Sequence, residues 1–245
     1  MNKMPPAVLG LLTANAVVFV VGLLLPDVGD RIIMAGALWF PSNEYFGVWQ
    51  MVSYMFLHGG MGHIFFNMLA LVSFGKILES QWGAARFLVF YFLCGVGAAL
   101  IQTGINWYEF QGLHDRLVAE GMTPSVISEL LSSERYLPTK PASLEMLKIY
   151  ASPMLGASGA IYGVLVAFGL LYPNAKLSLM FVPVPVAAKY FIPVILLLDL
   201  FSGVTGFSLI GGNIAHYAHL GGAAIGFLLM LLWRKRSRVA TFGRD

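Results

Sequence analysis

The sequence predicts an all-α polytopic membrane protein, a bundle of six transmembrane helices. Three observations point there. Of its 245 residues 58% are apolar and only 11% charged, with a mean hydropathy of +0.76, whereas a soluble domain carries roughly a quarter charged residues to wet its surface. Six segments approach the length of about 20 predominantly apolar residues that crosses ~30 Å of hydrocarbon. The charges fall almost entirely between those segments. A net charge of +3 from 15 basic and 12 acidic side chains, without a long basic stripe before the C-terminus, argues against a nucleic-acid partner. The partner implied is the lipid bilayer. Cys94 is the only cysteine, so an intrachain disulfide is excluded.

The expected spans are 7–25, 55–74, 86–104, 154–172, 190–201 with an apolar extension on its N-terminal side, and 214–233. The first run exceeds the 7–15 residues of a signal-peptide core, and Pro26-Asp27-Val28 offers no small-residue cleavage pattern, so it reads as a span. Between spans four and five, Leu177 to Ala188 is apolar, but Pro183, Pro185 and Lys189 favour a bent loop or surface segment over a straight helix. Between spans three and four, residues 105–152 hold six acidic and four basic residues and a helix start at Thr123-Pro124. This reads as a small extracytoplasmic insertion with one or two amphipathic helices, either a solvated loop resting on the bundle or a lid that docks substrate. The whole of 1–245 is expected to form one membrane domain.

Lysine and arginine set the orientation, because cytoplasmic loops hold the excess. One side carries Lys3, Lys76, Arg86, Lys176, Lys189, Arg234, Lys235, Arg236, Arg238 and Arg244; the other carries Arg31, Arg116, Arg135, Lys140 and Lys148. Both termini are therefore expected in the cytoplasm. Compactness and the lack of a targeting extension suggest a bacterial plasma membrane.

Polar side chains inside spans are expensive and mark candidate sites. On span two, His63 and Asn67 are four residues apart and share a helical face, while His58, five before His63, is expected to point elsewhere. On span six, His216 and His219 share a face. Span four opens with Gly156-Ala157-Ser158-Gly159, with Tyr162 one turn on. At about 1.5 Å per residue, His63, Ser158 and His219 all lie roughly 8–12 Å below the extracytoplasmic surface. Gly156, Gly159 and Gly163 on span four, with Gly222 and Gly226 on span six, permit close helix approach.

A serine beside a histidine is a nucleophile with its general base. Asn67, His63 and the Ser158 amide suit an oxyanion hole. No acidic residue is expected at that level; Asp199 reads as lying near the outer end of span five, so a Ser-His dyad is more economical than a triad. Tyr162 is placed to pack its ring on the imidazole. His58 and His216 read as supporting hydrogen-bonding groups. The histidine pairs could instead ligate haem or metal, but His-Glu-x-x-His is missing and the lone cysteine is not beside a histidine, so neither metal nor cofactor is expected.

Together these residues resemble the rhomboid intramembrane serine proteases. The resemblance rests on His58-x4-His63-x3-Asn67, on Gly156-x-Ser158-Gly159 with Tyr162, on Ala218-His219-Leu220-Gly221-Gly222, and on Leu78-Glu79 followed by Gly83 and Arg86. It covers nearly the whole chain except the insertion. It implies a rhomboid-like six-helix fold and cleavage of transmembrane protein substrates near the extracytoplasmic face. In that reading Ser158 is the nucleophile, His219 the base, and His63, Asn67 and the Ser158 amide the oxyanion hole. Two departures stand out: Trp49-Gln50 where the family often has Trp-Arg, and the 105–152 insertion ahead of the nucleophile. A non-catalytic rhomboid-like binder is the other reading within the resemblance; such relatives generally lack the serine or the histidine, and this chain has both.

Overall fold

The computed structural model describes residues 3–179, 182–207 and 215–241, with side chains in the last helix up to Trp233. Ile214, the expected first residue of span six, and Arg244 lie outside the described residues. Among the described residues, five helical stretches are long and apolar enough to cross a membrane. Helix α1 (Pro6–Leu24) starts on a proline at its first position, where the missing N–H costs nothing. Its next free N–H groups, those of Ala7 and Val8, donate to the two carboxylate oxygens of Glu79 at 2.8 and 2.7 Å. A short helix α2 (Pro26–Gly36) folds back on α1, and α3 (Gln50–Ser53) follows a loop.

The second span is displaced from 55–74. Residues 54–56 make a single 3-10 turn, Gly59 and Gly60 interrupt the chain, and α4 (Met61–Ala70) begins only at Met61. It continues through a π-turn at Leu71–Gly75 into α5 (Lys76–Trp82), completing a 22-residue apolar stretch. Helix α6 (Ala84–Ala119) runs 36 residues, well past the expected end at 104, because no proline interrupts it and a Gln102–Asn106 side-chain bond of 2.7 Å bridges one turn. The insertion therefore begins as a continuation of a span. It is completed by α7 (Pro124–Ser132) and α8 (Pro141–Ala151). These pack with the end of α6 around Phe40, Phe110, Leu117, Ile127 and Met146, a small apolar core separate from that of the bundle. Glu120 ties the corner, accepting from Lys140 at 3.2 Å and Arg116 at 3.1 Å.

Helix α9 (Ser158–Leu171) is only 14 residues, about 21 Å at the α-helical rise, so it is shorter than the expected 154–172 span. Residues before it are extended: Met154 forms a two-bond bridge with Leu38, and Gly156 has φ +125°, which a helix cannot include. A two-stranded antiparallel hairpin, β1 (Lys176–Leu179) and β2 (Val182–Ala187), occupies the proline-containing segment where a straight helix was not expected. Helices α10 (Ala188–Thr205) and α11 (His216–Thr241) complete the order.

The short α9 is the buried axis, its residues from Gly159 to Phe168 almost all shielded by α6, α10, α11 and the π-turn. Large apolar side chains such as Val17, Leu197, Phe201, Leu228 and Leu232 face outward. Such a surface is stable in hydrocarbon, where burial between helices gains little and close packing of small residues does the joining. That packing is visible between α9 and α11: a Cβ on Gly226 would come 2.7 Å from the Gly163 Cα, and Gly222 presses on the Gly159 carbonyl. At the end of the bundle opposite the insertion, Arg86 lies 4.2 Å over the Trp233 ring and Tyr172 bonds Gln81 at 3.2 Å.

Candidate active site

Three polypeptide segments converge at the N-terminus of α9. Ser158 is its first helical residue, so its hydroxyl and the N–H groups of the first turn stand at the free end of the helix. The approach is rigid. Met154 is bridged to Leu38 by bonds of 2.8 and 2.9 Å, the Gly156 N–H donates to the Tyr54 carbonyl at 2.9 Å, and the Tyr54 hydroxyl donates to the Gly95 carbonyl at 2.7 Å. Gly156 is required there twice over: its φ of +125° suits glycine, and a Cβ would come within 2.7 Å of the His63 ring.

Helix α11 presents His219 to the serine. Its Nε2 lies 2.8 Å from Ser158 Oγ, and the Tyr162 ring stacks on the imidazole at 4.2 Å and 13°. The glycine contact between α9 and α11 sets that distance, since any side chain at Gly222 would separate the two backbones. The first turn of α11 is held from outside by Gln102 of α6, whose carbonyl oxygen accepts the Ala218 N–H at 3.0 Å. Gln102 carries no motif and was not singled out in the sequence.

Helix α4 supplies the opposite wall. The Gly156 Cβ position faces both the His63 ring and the Asn67 amide nitrogen, the latter 3.8 Å away. Asn67 Nδ2 donates to His58 Nε2 at 3.0 Å, which fixes the amide. The expectation that His58 points away is corrected: it rested on helical angles, but Gly59 and Gly60 break the helix, and the His58 and His63 rings meet edge-on at 5.0 Å. His58 also borders a cavity between α1 and α2.

The expectation that no carboxylate reaches this level is likewise corrected. Helix α10 continues to Thr205, so Asp199 sits well inside the span and not at its end. Asp199 is 7% exposed; its Oδ1 lies 3.2 Å from His219 Nδ1 and 2.6 Å from His216 Nδ1. Asp199, His216 and His219 offer donor atoms within 4.8 Å of one another, a set able to hold a cation. Ahead of the site, Gln50 is a buried tie: its carbonyl oxygen accepts the Trp39 N–H at 3.2 Å, and its amide donates to the carbonyls of Ala35 and Tyr45 at 3.2 and 2.7 Å.

Known proteins match the chain over most of its length. The rhomboid domain profile matches residues 45–236. Rhomboid protein 1, mitochondrial, of Saccharomyces cerevisiae is 31% identical over 173 residues, 71% of this chain and 38% of the yeast protein. An uncharacterised mitochondrial rhomboid protein of Schizosaccharomyces pombe is 28% identical over 77% of this chain and 52% of its own length. Rhomboid protease GlpG of Yersinia pestis is 29% identical over 42% of this chain and 38% of that protein, and inactive RHOMBOID-like protein 8 of Arabidopsis thaliana matches 27% of this chain and 19% of its own length at 34% identity. The chain thus spans about half or less of the length of these curated relatives. With the family profile extending over most of its residues, from the loop before α3 into α11, this chain belongs to the rhomboid family.

Proposed function

We propose that the chain is an intramembrane serine endopeptidase that hydrolyses peptide bonds of transmembrane proteins near the extracytoplasmic face. The observation that carries this is the 2.8 Å contact between Ser158 Oγ and His219 Nε2, made by two helices locked through glycine. In this reading Ser158 attacks the scissile carbonyl carbon while His219 takes the hydroxyl proton. The negative charge that develops on the carbonyl oxygen meets donors from His63, Asn67 and the first-turn amides of α9. Gly156 shapes that pocket, His58 fixes Asn67, Tyr162 holds the imidazole, and His216 braces it through Asp199. Serine-based acyl transfer of this kind requires neither metal nor cofactor.

A substrate helix has its carbonyls hydrogen-bonded internally, so the bond to be cut must unwind before it reaches Ser158. Water must also reach the site, and the polar side chains of α4, α9 and α11 are suited to hold it below the membrane surface. The 105–152 insertion belongs to the same 1–245 domain and stands on the side of the bundle where substrate would enter. Both termini are assigned to the lysine- and arginine-rich, cytoplasmic side. The sequence leads to the expectation of a bacterial plasma membrane, while two of the relatives are named for mitochondria.

The test is reconstitution in liposomes with single-span model substrates. Cleavage lost in Ser158→Ala, unaffected by a chelator, and accelerated by glycine or proline inserted near the cut bond is expected. Unchanged cleavage across several such insertions contradicts the unwinding step, and cleavage by Ser158→Ala contradicts the nucleophile.

A further inference from the structure

We propose that Asp199 is a positioning residue of this hydrolysis, acting behind His219 so that Ser158, His219 and Asp199 work as a triad; the proposal rests on the reading of Ser158 and His219 given above. A neutral imidazole has one N–H and one lone pair, on opposite ring nitrogens. To act as base toward Ser158, His219 needs the lone pair on Nε2, the atom 2.8 Å from Oγ. Its proton must then sit on Nδ1. That nitrogen faces Asp199 Oδ1 at 3.2 Å, and an ionised carboxylate only accepts. Asp199 therefore selects the tautomer that catalysis requires, and a hydrogen bond on the far nitrogen is the usual device for doing so.

The surroundings fit this role. The side chain of Asp199 is 9% exposed and that of His219 13%, so their contact has little competition from water. The same oxygen receives the His216 Nδ1–H at 2.6 Å, and the Tyr162 hydroxyl also faces the carboxylate. Donors from α11 thus hold Asp199 in place, while the Tyr162 ring covers the flat face of His219. The imidazole is gripped at its edge by α10 and on its face by α9.

The proton balance is simple. As Ser158 Oγ bonds to the carbonyl carbon, the C=O π pair moves to oxygen and the hydroxyl proton passes to His219 Nε2. The imidazolium keeps its Nδ1–H directed at Asp199, which remains a carboxylate throughout. The Nε2 proton then goes to the leaving amine as the C–N bond breaks, and Ser158 is left acylated for water to release.

The experiment measures kcat and KM of the full chain in liposomes for Asp199→Asn, Asp199→Glu and Ser158→Ala beside the unsubstituted protein. Asp199→Asn is expected to lower kcat by about 10²- to 10⁴-fold, the range of a general base deprived of its orienting group, with KM changed less than about threefold and with partial recovery in Asp199→Glu. Full kcat in Asp199→Asn overturns the proposal and leaves Ser158 and His219 untouched. Cleavage by Ser158→Ala overturns the reading beneath it. Should Asp199→Asn fail to fold, ¹⁵N spectra of the unsubstituted protein, with His219 assigned by its loss in His219→Ala, decide the matter: Nδ1 protonated and Nε2 bare is expected, and the opposite tautomer overturns the proposal.

Discussion

Gly222 of α11 lies so close to the backbone carbonyl of Gly159 in α9 that no side-chain atom fits between them. This contact connects packing to chemistry, because Gly159 follows Ser158 and Gly222 lies one turn after His219. In a bilayer, where apolar side chains gain little by leaving lipid for protein, the closeness of two backbones supplies the attraction. It also sets the reach of the imidazole.

Gly222→Val is therefore expected to force α11 away from α9, at an overpacking cost of about 1–3 kcal/mol, and to reduce cleavage at least about 100-fold while most of the helical signal in circular dichroism survives. Gly10→Val in α1, where a new Cβ meets nothing within 4 Å, serves as the control and should leave activity unchanged. Equal activity in the two variants would mean that the glycine contact does not set the distance between Ser158 and His219.

Glu79 tests the opposite end of the bundle. Its two oxygens accept the Ala7 and Val8 N–H groups at the start of α1, which combines a helix cap with a negative charge at the positive end of the helix dipole. Glu79→Ala is expected to destabilise the protein by about 1–2 kcal/mol and to lower its melting temperature in detergent. Glu79→Gln should lose less, because one oxygen still accepts.

Glu120 predicts a pH effect confined to the insertion. Its hydrogen bonds from Lys140 and then Arg116 hold its carboxyl below the ordinary value of 4.5. With a folded-state value depressed below the unfolded one, the stabilisation is present above the ordinary glutamate range and is lost as pH falls through the folded-state value. Hydrogen exchange of α7 and α8 amides, corrected for intrinsic rates, should rise relative to the bundle on acidification below about pH 4, the unfolded carboxyl range. In Glu120→Gln it should already be raised at neutral pH and change little with acid. Identical protection in the two proteins at neutral pH would remove Glu120 from the corner.

Much of this fold was legible because lipid allows few solutions. Apolar runs read directly as helices, and the scarcity of polar groups within them made Ser158, His219, His63 and Asn67 stand out. The misplacements have local physical causes. The helical angle that spacing gives His58 belongs to a helix that Gly59 and Gly60 do not allow to form. The apolar run fades after Phe201 and so places Asp199 near a helix end, yet α10 continues through Ser202, Gly203, Val204 and Thr205 to a left-handed Gly206. Residues 154–157 are apolar enough for a span but stay outside the helix, with Met154 bridged to Leu38, 116 residues earlier, a pairing that no local pattern announces. Gln50 illustrates the same limit: the departure from the family pattern was visible, but its three bonds to the loop became readable only in three dimensions.

The central claim is that Ser158 is a nucleophile activated by His219. Its most direct measurement is labelling of the purified protein with a fluorophosphonate probe, which reacts only with an activated serine, comparing the unsubstituted chain with Ser158→Ala and His219→Ala. Labelling of the unsubstituted protein alone, mapped by mass spectrometry to Ser158, is the expected result. Labelling that persists in Ser158→Ala, or that proceeds at full rate in His219→Ala, would contradict it.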